Sequence, residues 1–229
     1  MKHYFTKTET ALWCGSALLI TTAFMLFDRA NPLTLAASLI GVTSLIFSAK
    51  GNPAGQALIV VFSVLYGIIS FNSAYYGEMI TYLGMTAPMS VFALISWLKN
   101  PYGSRTEVRV NRIHRRETAV MFAVSAGVTV GFYFVLKAFG TANLIPSTLS
   151  VTTSFIAVYL TARRCAFFAL AYAANDLVLI FLWTLAALEN SSCISVIVCF
   201  VIFFVNDLYG FVNWTRIYKR QNGEEQAIK

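Results

Sequence analysis

Eight apolar runs organise this chain, at roughly 10–27, 33–48, 56–72, 79–97, 118–138, 146–162, 166–187 and 193–214. A helix needs about 20 mostly apolar residues to cross a bilayer, and only a helix or a closed barrel satisfies its backbone groups in hydrocarbon. The pattern therefore predicts an all-α polytopic membrane protein with eight transmembrane helices. The run at 33–48 is short for a span and is expected to lie with little tilt or to draw in flanking residues. The first run does not read as a cleaved signal peptide. It lacks a small-residue cleavage site after its apolar core, and Phe27-Asp28-Arg29 reads as a membrane exit.

Against this apolar background the polar positions carry the information. The last run contains Asn206-Asp207-Leu208-Tyr209-Gly210-Phe211-Val212-Asn213-Trp214. Polar groups inside a membrane are expensive and usually face a bundle interior or a watery cavity. At helical spacing Asn206, Tyr209, Gly210 and Asn213 share one face, which makes that stripe a candidate ligand face. Asp207 points about 100° away from Asn206. It is expected to pair with Arg163 or Arg164 near the inner surface. Asn175-Asp176 sits in the middle of the seventh run with Trp183 further along, so an amide, a carboxylate and an indole line one side. The competing reading is a polar clamp between helices. Tyr66 and Tyr82 lie well inside the third and fourth runs and suit stacking on a flat ligand. Thr86 and Met89 follow Tyr82 at spacings of four and three, and Pro88 is expected to kink that helix. Tyr75, Tyr76 and Glu78 read as an outer interfacial belt, and Trp97 and Trp214 as inner interfacial anchors.

Composition confirms the class. The chain is 58% hydrophobic and 12% charged with mean hydropathy +0.67, against about 25% charged in soluble proteins. The net charge of +7 could suggest nucleic acid, but its placement argues against that partner. With eight spans and a cytoplasmic start, 15 of the 17 basic residues fall on the inner side, among them Lys2, Lys50, Arg105, Arg163, Arg164 and Lys229. Only Arg29 and Lys137 fall on the other. This is the positive-inside pattern, and it puts both termini in the cytoplasm. Cys14, Cys165, Cys193 and Cys199 have no metal-ligand spacing, and His3 and His114 lie in cytoplasmic segments. The sequence thus offers no metal site, no cofactor motif and no nucleophile–base set, and an enzyme is the least favoured class.

An internal repeat is also legible. Phe92-Ala93-Leu94-Ile95-Ser96-Trp97-Leu98-Lys99 lies over Tyr209-Gly210-Phe211-Val212-Asn213-Trp214-Thr215-Arg216 at an offset of 117, and Ser48-Ala49-Lys50 over Thr161-Ala162-Arg163 at 113. The expected organisation is an N-terminal segment and extra helix (1–32), a three-helix bundle (33–97), a basic cytoplasmic loop (98–117), a linker helix (118–145), a second three-helix bundle (146–216) and a cytoplasmic tail (217–229). An odd linker lets both triplets enter the membrane in the same direction, which makes a parallel repeat with a substrate site between its halves. The extra helix, rich in Leu, Ile, Phe and Ala, is expected to pack on the bundle or on a second copy in a homo-oligomer.

These residues resemble the nicotinamide riboside transporter (PnuC) family of bacterial vitamin transporters. The closing stretch Asn206 to Trp214 is similar to the family's N-x-x-Y-G-x-x-x-W pattern. Tyr75-Tyr76-Gly77-Glu78 with Ser96-Trp97 looks like its first-half counterpart, and Asn175 falls where the family has a mid-helix asparagine. The chain departs from the family at Asn52-Pro53-Ala54-Gly55-Gln56, where many members have Trp-Pro, and at Phe92-Ala93 in place of Tyr-Gly. The resemblance implies a SWEET-like parallel 3+1+3 repeat plus the extra N-terminal helix, in the bacterial inner membrane. It implies facilitated diffusion of nicotinamide riboside, trapped afterwards by a cytoplasmic kinase, with thiamine or riboflavin as the alternative cargo. Asn175, Asn206 and Asn213 would meet ribose hydroxyls, while Tyr209, Trp183, Tyr82 and Tyr66 would offer flat rings. A pyridinium would suit those aromatic faces and Asp176. The alternative from another class is a membrane sensor or assembly protein with a closed polar core.

Overall fold

The computed structural model describes residues 4–103 and 106–227. Lys2, His3, Arg105 and Lys229, read above as cytoplasmic, lie outside the described residues. Eight helical segments within that range are long and apolar enough to cross a membrane. They are α1 (Lys7–Phe27), α2 (Pro32–Ala49), α3 (Ala54–Asn72), the fourth span formed by α4 (Tyr76–Thr81), a π-turn (Tyr82–Thr86) and α5 (Ala87–Leu98), then α6 (Arg115–Ala138), α7 (Leu144–Ala162), α8 (Phe167–Ala187) and α9 (Ile194–Ala227).

Local chemistry sets several boundaries. Thr6 and Glu9 form a capping box at the start of α1, each side chain accepting from the other's backbone N–H. Helix α2 opens on Pro32, where the missing N–H costs nothing, and this lengthens the short run to 18 residues. Helix α9 continues for 34 residues, so much of the stretch expected as a tail beyond 217 is helical. The irregularity expected at Pro88 lies just before it. The Ala87 N–H reaches back five residues to the Tyr82 carbonyl. Pro88 has no N–H, and the wider π-turn places one extra residue ahead of it.

The helices form two triplets, α2–α3–α4/α5 and α7–α8–α9. Helix α2 packs on α3 and α3 on α5, while α7 packs on α8 and α8 on α9. The triplets meet crosswise, α2 against α9 and α5 against α7. Helix α1 lies against α2 and α9, and α6 lies against α7. Small residues permit the closest crossing. A Cβ on Gly55 of α3 would stand 2.6 Å from the Ser48 backbone nitrogen and 2.8 Å from the Ser44 carbonyl oxygen of α2. Only glycine fits there.

The helix ends beside the basic loop, labelled inner for reference, are tied together through that loop. The Val108 N–H donates to the Gly51 carbonyl and the Asn111 N–H to the Arg164 carbonyl, both at 2.9 Å. Gly51 and Arg164 occupy corresponding turns, and both have left-handed φ, +66° and +56°. Gln221 of α9 donates from Nε2 to the Val108 carbonyl at 3.1 Å and accepts from the Val110 N–H at 2.9 Å. Glu107 pairs with Arg220. The loop is therefore a fastener across both triplets.

A candidate binding cavity between the two triplets

A small cavity of about 40 Å³ lies on the line where the triplets meet. Helix α8 supplies Tyr172, Asn175 and Asp176, and α9 supplies Phe200, Phe203 and Asp207. Ile59 and Phe62 of α3, with Tyr82 and Thr86 of the π-turn, close the opposite side. The π-turn is what aims Tyr82 and Thr86 inward, and both are buried. Thr153 and Ser154 of α7 donate to Asn175 Oδ1 at 2.7 and 3.0 Å. This fixes the amide so that its remaining capacity is a donor, within reach of the Tyr82 hydroxyl. Asp176 of α8 and Asp207 of α9 both face the cavity. Asp176 Oδ2 and Thr86 Oγ1 have no hydrogen-bond partner. Small-molecule sites usually measure about 300–1,000 Å³, so a ligand larger than a few waters requires the helices around this cavity to part.

An aromatic layer seals each end. Toward the outer side, Trp183 Nε1 donates to the Tyr66 hydroxyl at 2.6 Å. Tyr66 also packs edge-on against Tyr82 at 4.4 Å between ring centroids. Tyr75 completes this layer, packing on Trp183 and donating to the Leu182 carbonyl at 3.2 Å. Burial pushes the Tyr75 phenol above its ordinary pKa, so it remains a protonated donor. Toward the inner side, Trp97 and Trp214 pack on each other at 5.2 Å. Trp97 Nε1 donates to the Thr161 carbonyl at 2.9 Å, and Trp214 Nε1 to the Ser48 carbonyl at 2.7 Å. Beside them Ser96 donates to the Ala162 carbonyl at 2.9 Å and Asn213 to the Ala49 carbonyl at 2.7 Å.

The sequence-derived candidates divide into two groups. Asn175, Asp176 and Tyr82 are brought together at the cavity, and Tyr66 and Trp183 form its outer roof. Asn206, Tyr209 and Asn213 are engaged elsewhere. Asn206 donates to Ser16 of α1 at 3.0 Å, Tyr209 donates to Glu9 of α1 at 3.2 Å, and Asn213 serves the inner seal. Gly210 lets helices approach, with Ala169 and Ala49 in ordinary contact distance of a Cβ built there. The stripe is real, but it is the face on which α1 and α2 dock.

The same rotation corrects the expectation for Asp207. Because Asn206 turns toward α1, Asp207 turns into the cavity. Its expected arginine partners are committed elsewhere, Arg163 to Glu117 and Arg164 Nη1 to Ser96 Oγ at 2.9 Å. The interfacial roles fail as well. Trp97, Trp214 and Glu78 are fully buried and Tyr75 nearly so, with Glu78 accepting from Ser150 at 3.2 Å. Tyr172 is a cavity residue that sequence reasoning passed over. Its signal was available, since it stands one turn before Asp176 on the same face.

Comparison with known proteins places this architecture. The nicotinamide mononucleotide transporter family model matches residues 31–216. The nicotinamide riboside transporter PnuC of Neisseria mucosa is 24% identical over 219 residues, covering 93% of this chain and 83% of that protein. The protein of the same name from Haemophilus influenzae is 22% identical over 192 residues, covering 83% and 82%. A crystal structure of the vitamin B3 transporter PnuC superposes with a TM-score of 0.84 at 22% identity, covering 95% of this chain and 94% of that one.

Proposed function

The chain belongs to the nicotinamide mononucleotide transporter family, and we propose that its cargo is nicotinamide riboside, taken up across the bacterial cytoplasmic membrane by facilitated diffusion. The observation that carries this reading is the small cavity holding Asn175, Asp176 and Asp207, with an aromatic layer toward each end of the bundle. A passage that is sealed on both sides of a polar centre suits alternating access, in which one seal opens at a time. Asn175 offers its amide donor to a ribose hydroxyl, Tyr82 and Tyr172 offer flat faces to the ring, and the carboxyls offer a counter-charge. Asn206, Tyr209 and Asn213 then serve the cargo indirectly, by holding α1 and α2 against α9.

Nothing in this arrangement drives accumulation, so in this reading net uptake comes from trapping by a cytoplasmic kinase, and the chain performs no chemistry itself. The distribution of basic residues supports both termini lying in the cytoplasm. Uptake of labelled riboside into proteoliposomes tests the proposal. Saturable flux, reduced about tenfold by Asn175→Ala, is the expected result. Absence of saturable flux overturns it, and stronger competition by unlabelled thiamine or riboflavin than by the riboside would reassign the cargo.

A further inference from the structure

We infer that Glu78 is a proton-binding site that controls the outer contact between the triplets. It holds a proton while α4 and α7 are packed together and releases it to water when they part, so that higher pH favours the open form. The inference takes from the transport reading only that this contact opens, and it assigns nothing to the central cavity.

The two ends of the bundle are closed by different chemistry. At the inner end Trp97, Trp214, Ser96 and Asn213 each donate to a carbonyl of the opposite triplet. At the outer end α4 meets α7, where Ser150 Oγ donates to Glu78 Oε2 at 3.2 Å. Glu78 Oε1, Ser70 Oγ, Thr81 Oγ1 and Thr141 Oγ1 are buried in this region and have no hydrogen-bond partner. Thr81 stands one turn beyond Glu78, and the Ser70 carbonyl accepts from the Tyr75 N–H at 2.8 Å. Packing is close as well. A Cβ on Gly77 would stand 3.0 Å from Thr141 Cγ2 and 3.2 Å from Ser147 Cβ. The contact is therefore tight and short of hydrogen bonds, and its polar groups gain partners when water enters.

Glu78 is 0% exposed. An ionised carboxylate in such a place needs a positive partner or a full set of donors. Ser150 is one donor, and the neighbouring elements bring no base. Helices α3, α5 and α7 and the π-turn contain no lysine, arginine or histidine, and their titratable side chains are the phenols of Tyr66, Tyr82 and Tyr159. Tyr76 stands on α4 itself and Tyr75 at its cap. Lys137, beside the Leu136 that reaches Gly77, is exposed, and so is Glu189 across the outer pocket from Tyr75. The packed form therefore holds Glu78 as the neutral acid. In water a glutamate ionises at about pH 4.3. The packed form thus binds a proton that the parted form gives up, and the parted fraction grows with pH by up to about tenfold per unit. A proton taken up and released on the same side regulates opening and drives no accumulation.

The test is an electron paramagnetic resonance distance between spin labels at Ser73→Cys and Leu188→Cys. These are exposed positions at the outer ends of opposite triplets, and the four native cysteines are changed to alanine in the full chain. Between about pH 6 and about pH 8 the widely separated fraction should rise about tenfold. Glu78→Gln keeps the size of the side chain without its titrating proton and should retain the low-pH distribution throughout. Asp176→Asn/Asp207→Asn removes the carboxyls of α8 and α9 and should leave the rise intact. Distances that ignore pH, a rise that survives Glu78→Gln, or one abolished by the aspartate double variant would overturn the inference. Exchange of labelled riboside in proteoliposomes, with equal pH on both sides, is the second measurement and needs no cysteine change. It should quicken about threefold or more over the same range in the native chain and stay flat in Glu78→Gln. The two readings fail separately. A pH-dependent distance without flux removes the transport proposal and leaves the proton site standing, whereas flux and distances that both ignore pH do the reverse.

Discussion

At the end that carries the basic loop the two triplets do the same thing to each other. Trp97 closes on the Thr161 carbonyl and Trp214 on the Ser48 carbonyl, at 2.9 and 2.7 Å, with Ser96 and Asn213 adding a matching second pair. In the middle of the molecule this exchange stops. At the offset of 113 that relates the Gly51 and Arg164 turns, Asp176 corresponds to Ser63, whose hydroxyl donates to the Ile59 carbonyl of its own helix at 2.8 Å. Sealing is a mechanical task that two equivalent elements can share across one line of contact. Recognition is different, because a cargo without twofold symmetry can match the polar groups of only one half. In the proposed reading that half is the second triplet, with Asn175, Asp176 and Asp207.

The comparison can be broken most forcefully at the inner seal. Trp97→Ala and Trp214→Ala should each destabilise the protein by about 3–5 kcal/mol, through the cavity left between fully buried helices. Because the two residues stand in equivalent settings, their thermal unfolding midpoints in detergent should fall by similar amounts. A large loss for one and a small loss for the other would show that the seal is not shared.

Gly55→Ala should cost about 1–3 kcal/mol in the same assay, since its Cβ would meet the backbone of α2 rather than a yielding side chain. It should also disturb the seal, because the displaced turn carries the Ser48 carbonyl that accepts from Trp214. The centre can be tested with a pair of changes. Asn175→Ala should slow riboside uptake about tenfold, whereas Ile59→Val across the cavity should change it less than about twofold. Equal effects would remove the lopsidedness. The mildest test compares Ser96→Ala with Asn213→Ala, each expected to cost about 0.5–1.5 kcal/mol for one lost hydrogen bond. Different losses would mark where the two halves diverge.

Much of the fold was legible because hydrophobic run length is dictated by the bilayer itself. The eight expected spans correspond to eight membrane-length helical segments, most boundaries lying within a few residues. Departures have local causes. Pro32 extends α2, the π-turn replaces a kink at Pro88, and α9 runs on past the membrane because the tail finds partners in the 98–117 loop. The candidate cavity was only half legible. Asn175 and Asp176 stood out as a mid-span polar pair, and Tyr82 as an aromatic well inside its run. Asn206, Tyr209 and Asn213 stood out just as strongly, yet they serve α1 and α2. Periodicity reveals that a helix has a polar face and says nothing about which neighbour covers it.

By itself the amino-acid sequence determined the number of spans, their amphipathic faces, the clustering of the basic residues in alternate connections and the likeness between the Trp97 and Trp214 segments. Those properties follow from the bilayer's thickness, the helix period and local side-chain chemistry. The tertiary structure alone decided that Asp207 looks inward at Asp176, that Glu78 and the two tryptophans are buried, and that the most conspicuous polar stripe is a docking surface. These outcomes depend on how each helix is rotated against its neighbours. That rotation is set by packing between segments distant in the chain, such as Asn206 against Ser16 and Trp214 against Ser48.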